Sequence, residues 1–129
     1  MSAPVVVAAR NEERQILLVD DEPSMTRVIS RLLAMHGWKA TIVGDPTKAI
    51  DIVRERPDFF ALVITDMAMP GMSGDELAHQ LKAVAPNLPI ILSTGGGDGT
   101  EHLFAGVLPK PFDAQMLVDT VERCLRPVV

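Results

Sequence analysis

The chain has 129 residues, enough to bury the core of one domain, and 47% of them are hydrophobic. Its 12 basic and 17 acidic side chains give a formal net charge of -5, without the basic surface expected of a protein that binds nucleic acid or an anionic membrane. No apolar run reaches membrane-spanning length and no secretory signal is recognisable, so we expect a cytoplasmic protein, and a single cysteine, Cys124, fits a reducing compartment.

The first predicted elements follow a tail of little periodicity. Residues 1–14 are interpreted as a flexible tail or linker, and residues 15–127 as one domain. The apolar run at residues 16–19 is typical of a strand buried on both faces, and apolar residues at helical spacing over 25–33 predict an amphipathic helix. A second, short strand is predicted at residues 39–43.

The remaining elements alternate in the same way. They are a helix capped by Asp45, a strand at 60–65, a helix at 77–85, a strand at 89–94, a short strand at 106–108 and a helix capped by Asp113. Strands this apolar belong to a parallel sheet with helices on both faces. We therefore expect a flavodoxin-like, doubly wound α/β fold with five parallel strands in the order 2-1-3-4-5, because no GxGxxG of the Rossmann type follows the first strand.

Polar side chains lie where the predicted strands end. They are Asp20 and Asp21 after the first strand, Asp66 after the third, Ser93 and Thr94 on the fourth, and Lys110 after the fifth. The carboxyl ends of neighbouring parallel strands meet at one edge of a sheet, so these residues are expected to share a pocket. Carboxylates without nearby histidine or cysteine suit a hard cation such as Mg²⁺, which would also relieve the repulsion between adjacent acids.

Such a pocket suits phosphoryl chemistry. The cation would neutralise the repulsion between an anionic phosphoryl group and Asp66. Lys110 would hold one phosphoryl oxygen as a point charge, and the Thr94 hydroxyl would donate a hydrogen bond to another.

Four motifs then carry a family resemblance. LLVDDE, VITDMAMPGMSG, PIILSTG and LPKPF, in this order and spacing, resemble the signatures of the response-regulator receiver (CheY-like) family of two-component signalling. The resemblance implies a domain that takes a phosphoryl group from a histidine kinase or a histidine phosphotransfer protein and signals to an unknown downstream protein by direct contact. Apart from Mg²⁺-dependent self-phosphorylation and slow autodephosphorylation, it implies no enzymatic activity, and neither nucleic acid nor membrane is an expected partner.

The same resemblance implies a role for each site residue. Asp66 is the phosphoacceptor, Asp20 and Asp21 are the acidic pair that binds Mg²⁺ with Asp66, the Met67 backbone carbonyl is a further metal ligand, and Thr94 and Lys110 are the switch hydroxyl and the lysine of the site. A cis peptide bond between Lys110 and Pro111 is also expected.

Simpler interpretations of these residues stay open. Asp20 or Asp21 could only cap the first helix, Asp66 could be a turn acid, Thr94 a structural hydroxyl and Lys110 a solvated charge. As whole-protein alternatives, a phosphohydrolase of the haloacid-dehalogenase type also forms an aspartyl phosphate, but it needs an acid where this chain has Ala68. The second whole-protein alternative is a receiver-like interaction domain that is not phosphorylated. The chain ends just after its last predicted helix, so we expect either a stand-alone regulator or the receiver part of a larger protein.

Two features depart from typical receivers. The segment after Thr94 is short and carries four glycines, each costing about 1 kcal/mol in a helix interior, so the fourth helix is expected to be short, frayed or absent. Position 107 is valine where receivers commonly carry an aromatic ring that follows the switch hydroxyl. We therefore predict that phosphorylation acts by ordering residues 95–105 through Thr94, with partners contacting residues 25–29 or that loop.

Overall fold

The computed structural model describes residues 14–96 and 103–125, which contain one five-stranded parallel sheet. The strands are β1 (Gln15–Val19), β2 (Lys39–Val43), β3 (Leu62–Asp66), β4 (Ile90–Thr94) and β5 (Gly106–Pro109). Their order in the sheet is β2-β1-β3-β4-β5, with every neighbouring pair parallel. The predicted flavodoxin-like topology is confirmed.

Four α-helices connect or follow these strands in the described residues. They are α1 (Pro23–Ala34), α2 (Pro46–Glu55), α3 (Gly74–Val84) and α4 (Ala114–Cys124). The predicted caps are present, because the Asp45 carboxylate accepts a hydrogen bond from the Thr47 amide at 3.0 Å and the Asp113 carboxylate accepts one from the Met116 amide at 2.8 Å. No helix within residues 14–96 and 103–125 is long and apolar enough to cross a membrane.

The core consists of two apolar layers, one on each face of the sheet. Leu17 and Val63 face α2 and α3, whereas their chain neighbours Leu18 and Ile64 face α1 and α4. Side chains alternate between the faces of a strand, so strands covered on both sides must be apolar throughout. Burial of each such aliphatic side chain stabilises the folded state by about 1.5–3 kcal/mol relative to leaving it exposed. Cys124 is buried in the layer that faces α1 and α4.

Some sequence predictions lie wholly or partly outside the described residues. Residues 1–13 of the predicted tail and residues 126 and 127 of the predicted domain are among them. The helix between β4 and β5, predicted to be short, frayed or absent, falls mainly on residues 97–102, which are also outside. The described part of that connection, 95–96 and 103–105, contains no α-helix. The Arg14 carbonyl accepts a hydrogen bond from the Lys39 amide at 2.9 Å, so backbone pairing with β2 includes residue 14.

Candidate functional site

Three acids meet at the carboxyl ends of β1 and β3. The register pairs Val19 with Thr65, which places the following residues, Asp20 and Asp66, side by side. One carboxylate oxygen each from Asp20, Asp21 and Asp66 lie within 4.8 Å of one another. The structure thus brings the three predicted acids together, close enough for their carboxylate oxygens to share one cation.

Asp20 is the most buried of the three acids, with 7% of its surface exposed. Burial raises the pKa of its carboxyl, and the negative charges of Asp66 and Asp21 raise it further, whereas a hydrogen bond from the Glu22 amide and the charge of Lys110 act in the opposite direction. The Glu22 amide donates to Asp20 Oδ1 at 3.0 Å, just before α1 begins. The N-cap of α1 is Glu22, without a side-chain cap bond, so neither Asp20 nor Asp21 is the cap residue, although Asp20 accepts the bond from the Glu22 amide.

Neutralising Asp20 is expected to stabilise the metal-free protein. A carboxyl with a raised pKa binds its proton more tightly in the folded state, so its stability contribution is present below the unfolded pKa and is lost as pH rises through the raised folded pKa. At neutral pH without Mg²⁺, Asp20→Asn should therefore raise the free energy of unfolding measured by urea denaturation. The gain should shrink at acidic pH, and an Asp20→Asn protein that is less stable at neutral pH would contradict this electrostatic explanation.

Lys110 reaches across the sheet to Asp66. Its Nζ donates to Asp66 Oδ1 at 2.9 Å, and the Met67 amide donates to the same oxygen, also at 2.9 Å. Both hydrogen bonds that the described residues give to this carboxylate fall on Oδ1, so Oδ2 is the oxygen available to an incoming group. The Lys110 amide donates to the Thr94 carbonyl at 2.8 Å, and the bond from Lys110 to Pro111 is cis, as the resemblance implies.

Thr94 lies at the end of β4, but its hydroxyl bonds locally. It donates to the Gly96 carbonyl at 2.7 Å and accepts from the Gly96 amide at 3.2 Å. Thr94 is 7% exposed, at the beginning of the glycine-rich segment. These bonds fit the interpretation of Thr94 as a structural hydroxyl. Its contact with a phosphoryl group stays a prediction.

The Met67 carbonyl, the predicted backbone ligand, also has a protein partner. It accepts a hydrogen bond from the Gly74 amide at 2.8 Å, which ties the loop after Asp66 to the first residue of α3. A carbonyl oxygen has a second lone pair, so the bond does not exclude a metal. The role of Met67 as a ligand therefore stays a prediction.

Gly74 holds the loop after Asp66 against the sheet, a role that sequence reasoning did not assign. A Cβ at this position would lie 2.7 Å from the Asp66 carbonyl oxygen and 3.0 Å from Met67 Cα. The available signal was a glycine at the start of a helix, where alanine is the better helix former. The reason for glycine here is the close backbone approach.

Gly74→Ala is expected to destabilise the protein by about 1–3 kcal/mol, since the new methyl group forces the Asp66 strand end and the loop apart. The matched control is Gly44→Ala, whose Cβ would meet its nearest atoms at 3.8 and 3.9 Å, an ordinary contact. Urea denaturation of both variants measures the difference. If Gly74→Ala were as stable as Gly44→Ala, the close approach would not be the constraint.

The sequence matches the family of the response regulator receiver domain over residues 16–122. This match covers most of the chain, and it coincides with the topology and the acid cluster described above. The chain therefore belongs to the response regulator receiver domain family.

Known relatives agree with this assignment. The chain is 35% identical over 119 residues to the probable transcriptional regulatory protein TcrX of Mycobacterium tuberculosis, covering 86% of this chain and 49% of TcrX. It is 33% identical over 118 residues to the response regulator receiver protein CpdR of Brucella abortus, covering 87% of this chain and 97% of CpdR. It thus spans about half the length of TcrX and nearly all of CpdR.

Solved structures show the same fold. The chemotaxis protein CheY4 of Vibrio cholerae superposes with a TM-score of 0.78 at 25% sequence identity, over 87% of this chain and 98% of that chain. Sequence family and fold therefore lead to the same class of protein.

Proposed function

We propose that this receiver domain accepts a phosphoryl group on Asp66 from a phosphohistidine of a histidine kinase or histidine phosphotransfer protein. The observation that carries the proposal is the 2.9 Å bond from Lys110 Nζ to Asp66 Oδ1 beside the cluster of three acids. A lysine held against one oxygen of a carboxylate, with the other oxygen available, suits a nucleophile that receives an anionic group.

This arrangement supports the following transfer step. Asp66 Oδ2 attacks the phosphorus in line, an O–P bond forms, and the P–N bond of the phosphohistidine breaks with its electron pair left on the imidazole nitrogen. Lys110 keeps the attacking carboxylate oriented through Oδ1, and its ammonium offsets the negative charge that collects on the phosphoryl oxygens during transfer. The domain itself provides positioning and charge rather than general acid chemistry.

The donor set supports Mg²⁺ as the cofactor. Asp20, Asp21 and Asp66 supply only carboxylate oxygens, and no histidine or cysteine joins this cluster among residues 14–96 and 103–125. Oxygen ligands favour a hard cation, and Mg²⁺ is commonly held by few carboxylates together with water. When bound, the ion supplies positive charge that offsets the three acids and the phosphoryl group.

Asp21→Ala is expected to weaken Mg²⁺ binding by at least about tenfold, since it removes one of three carboxylates. Isothermal titration with MgCl₂ measures the change. Asp51→Ala is the control, because Asp51 is an exposed acid on α2 that pairs with Arg54. Equal affinities of the two variants would count against Asp21 as a ligand.

The direct test of the proposed function is incubation with acetyl phosphate and Mg²⁺ followed by intact-protein mass spectrometry. The expected result is the added mass of one phosphoryl group. This mass should not appear when Mg²⁺ is chelated before the reaction. Steady hydrolysis of an aryl phosphate would instead favour a phosphohydrolase. The sequence argues against that alternative, because position 68 is alanine where such an enzyme needs an acid. Folded, Mg²⁺-bound protein that takes no label would favour an interaction domain that is not phosphorylated.

A surface next to the site supports partner contact through α1. A groove of about 440 Å³ lies between α1 and the segment after β5; it is lined by Met25, Val28, Ile29, Leu32 and residues 110–114. Val28 is 56% exposed, and the groove includes Lys110 of the site itself. An apolar surface that includes Lys110 of the site is suited to contact with a phosphoryl donor or a downstream protein. We propose that this contact takes place in the cytoplasm.

A further inference from the structure

The hydroxyl of Ser93 is a buried polar group without a partner. Ser93 is 5% exposed, and its Oγ is the one buried side-chain nitrogen or oxygen in the described residues that has no hydrogen bond. The other buried hydroxyls are bonded: those of Thr26, Thr65, Thr94 and Thr120 each donate to a backbone carbonyl. An unpaired buried hydroxyl costs free energy, so this one calls for an explanation.

The sheet register places Ser93 between the two charged partners of the site. Ser93 pairs with Asp66 on β3 and with Leu108 on β5. Paired residues of parallel strands point to the same face, and Lys110, two residues beyond Leu108, returns to that face. Asp66, Ser93 and Lys110 therefore share the face of the sheet that carries α1 and α4.

The bond between Lys110 and Asp66 has to cross β4. β3 and β5 are both neighbours of β4, and adjacent strands lie about 4.8 Å apart, so the lysine stem passes over the intervening strand. Ser93 is the β4 side chain on that face at the level of Asp66. Its small side chain is compatible with a stem that crosses β4 at this level, and its unpaired hydroxyl is on the same face of the sheet as the two charged groups.

We propose that Ser93 is a positioning residue for Lys110: its hydroxyl accepts a hydrogen bond from the ammonium as the phosphoryl group is transferred to Asp66. This inference rests on the proposed function. Transfer through Oδ2 converts Asp66 Oδ1 from a carboxylate oxygen into an acyl carbonyl oxygen, which is a weaker acceptor, while the ammonium retains three donors, one of them for a phosphoryl oxygen. The unpaired Ser93 hydroxyl, on the same face of the sheet, supplies the replacement acceptor and keeps the lysine over β4, near the phosphoryl oxygens.

The test compares Ser93→Ala and Ser93→Thr with the wild-type protein. Two quantities are measured: the thermal midpoint without Mg²⁺, and the rate of aspartyl phosphate formation from acetyl phosphate with Mg²⁺. Because the hydroxyl is unpaired at rest, Ser93→Ala should keep or raise the midpoint, yet form aspartyl phosphate roughly tenfold more slowly, as expected for losing a hydrogen bond to a charged group. Ser93→Thr, which retains a hydroxyl, should keep a rate close to wild type.

Thr120→Ala is the matched control, since it removes a buried hydroxyl that already bonds to the Met116 carbonyl at 2.7 Å. It should lower the midpoint and leave the rate unchanged. A Ser93→Ala protein that behaves like this control, or that matches wild type in both quantities, overturns the inference, as does a folded Ser93→Thr protein as slow as Ser93→Ala. If the wild-type protein takes no label, the proposed function fails and this inference fails with it. If the wild-type protein is labelled and the Ser93 variants behave otherwise than expected, only this inference fails.

Discussion

Asp66→Asn is expected to abolish phosphoryl labelling by acetyl phosphate and Mg²⁺ while leaving the fold intact. The amide is the same size as the carboxylate and its oxygen can still accept the bond from Lys110 Nζ, but it lacks the anionic oxygen that attacks phosphorus. Intact-protein mass spectrometry measures the loss, and the circular dichroism spectrum reports the fold.

Asp51→Asn is the control for this substitution, because it makes the same chemical change at an exposed acid away from the cluster. It should label as fast as wild type. Labelling that persists in Asp66→Asn would show that another residue is the phosphoacceptor.

Lys110→Met is expected to slow labelling by about 100-fold, the usual effect of removing one preorganised donor from a transition state that gathers negative charge. Methionine keeps much of the stem that crosses β4, and it removes the ammonium from Asp66 Oδ1. The rate of aspartyl phosphate formation, measured at several acetyl phosphate concentrations, gives the effect.

Lys82→Met provides the comparison, since Lys82 donates to the Leu88 carbonyl at the end of α3 and does not contact the acids. It should leave the rate unchanged. Equal rates for Lys110→Met and Lys82→Met would show that the ammonium of Lys110 takes no part in transfer.

The strand order and the meeting of the acids could both be predicted from the residues. Leu17 and Leu18 are adjacent apolar residues that face opposite layers, the pattern of a strand covered on both sides. Once the strands are parallel, their carboxyl ends lie at one edge, and Asp20, Asp66 and Lys110 converge there although they are far apart in the chain.

The local hydrogen bonds of the site could not be predicted. Thr94 bonds to Gly96 and the Met67 carbonyl bonds to Gly74, and each bond depends on loop geometry at the level of a few tenths of an ångström. A sequence pattern assigns a residue to a face or a strand end, whereas the partner of a hydroxyl or carbonyl is decided by the backbone around it. For the same reason, the sequence pattern does not predict that the Ser93 hydroxyl lacks a hydrogen-bond partner.

The most direct test of the phosphoacceptor role is to locate the phosphoryl group in the chain. Protein labelled with acetyl phosphate and Mg²⁺ is reduced with borohydride, which converts an aspartyl phosphate to homoserine, and is then sequenced by tandem mass spectrometry. The expected result is homoserine at position 66 and at no other aspartate. Homoserine at Asp20 or Asp21 with Asp66 unchanged, or labelling confined to a residue outside the acid cluster, would contradict it.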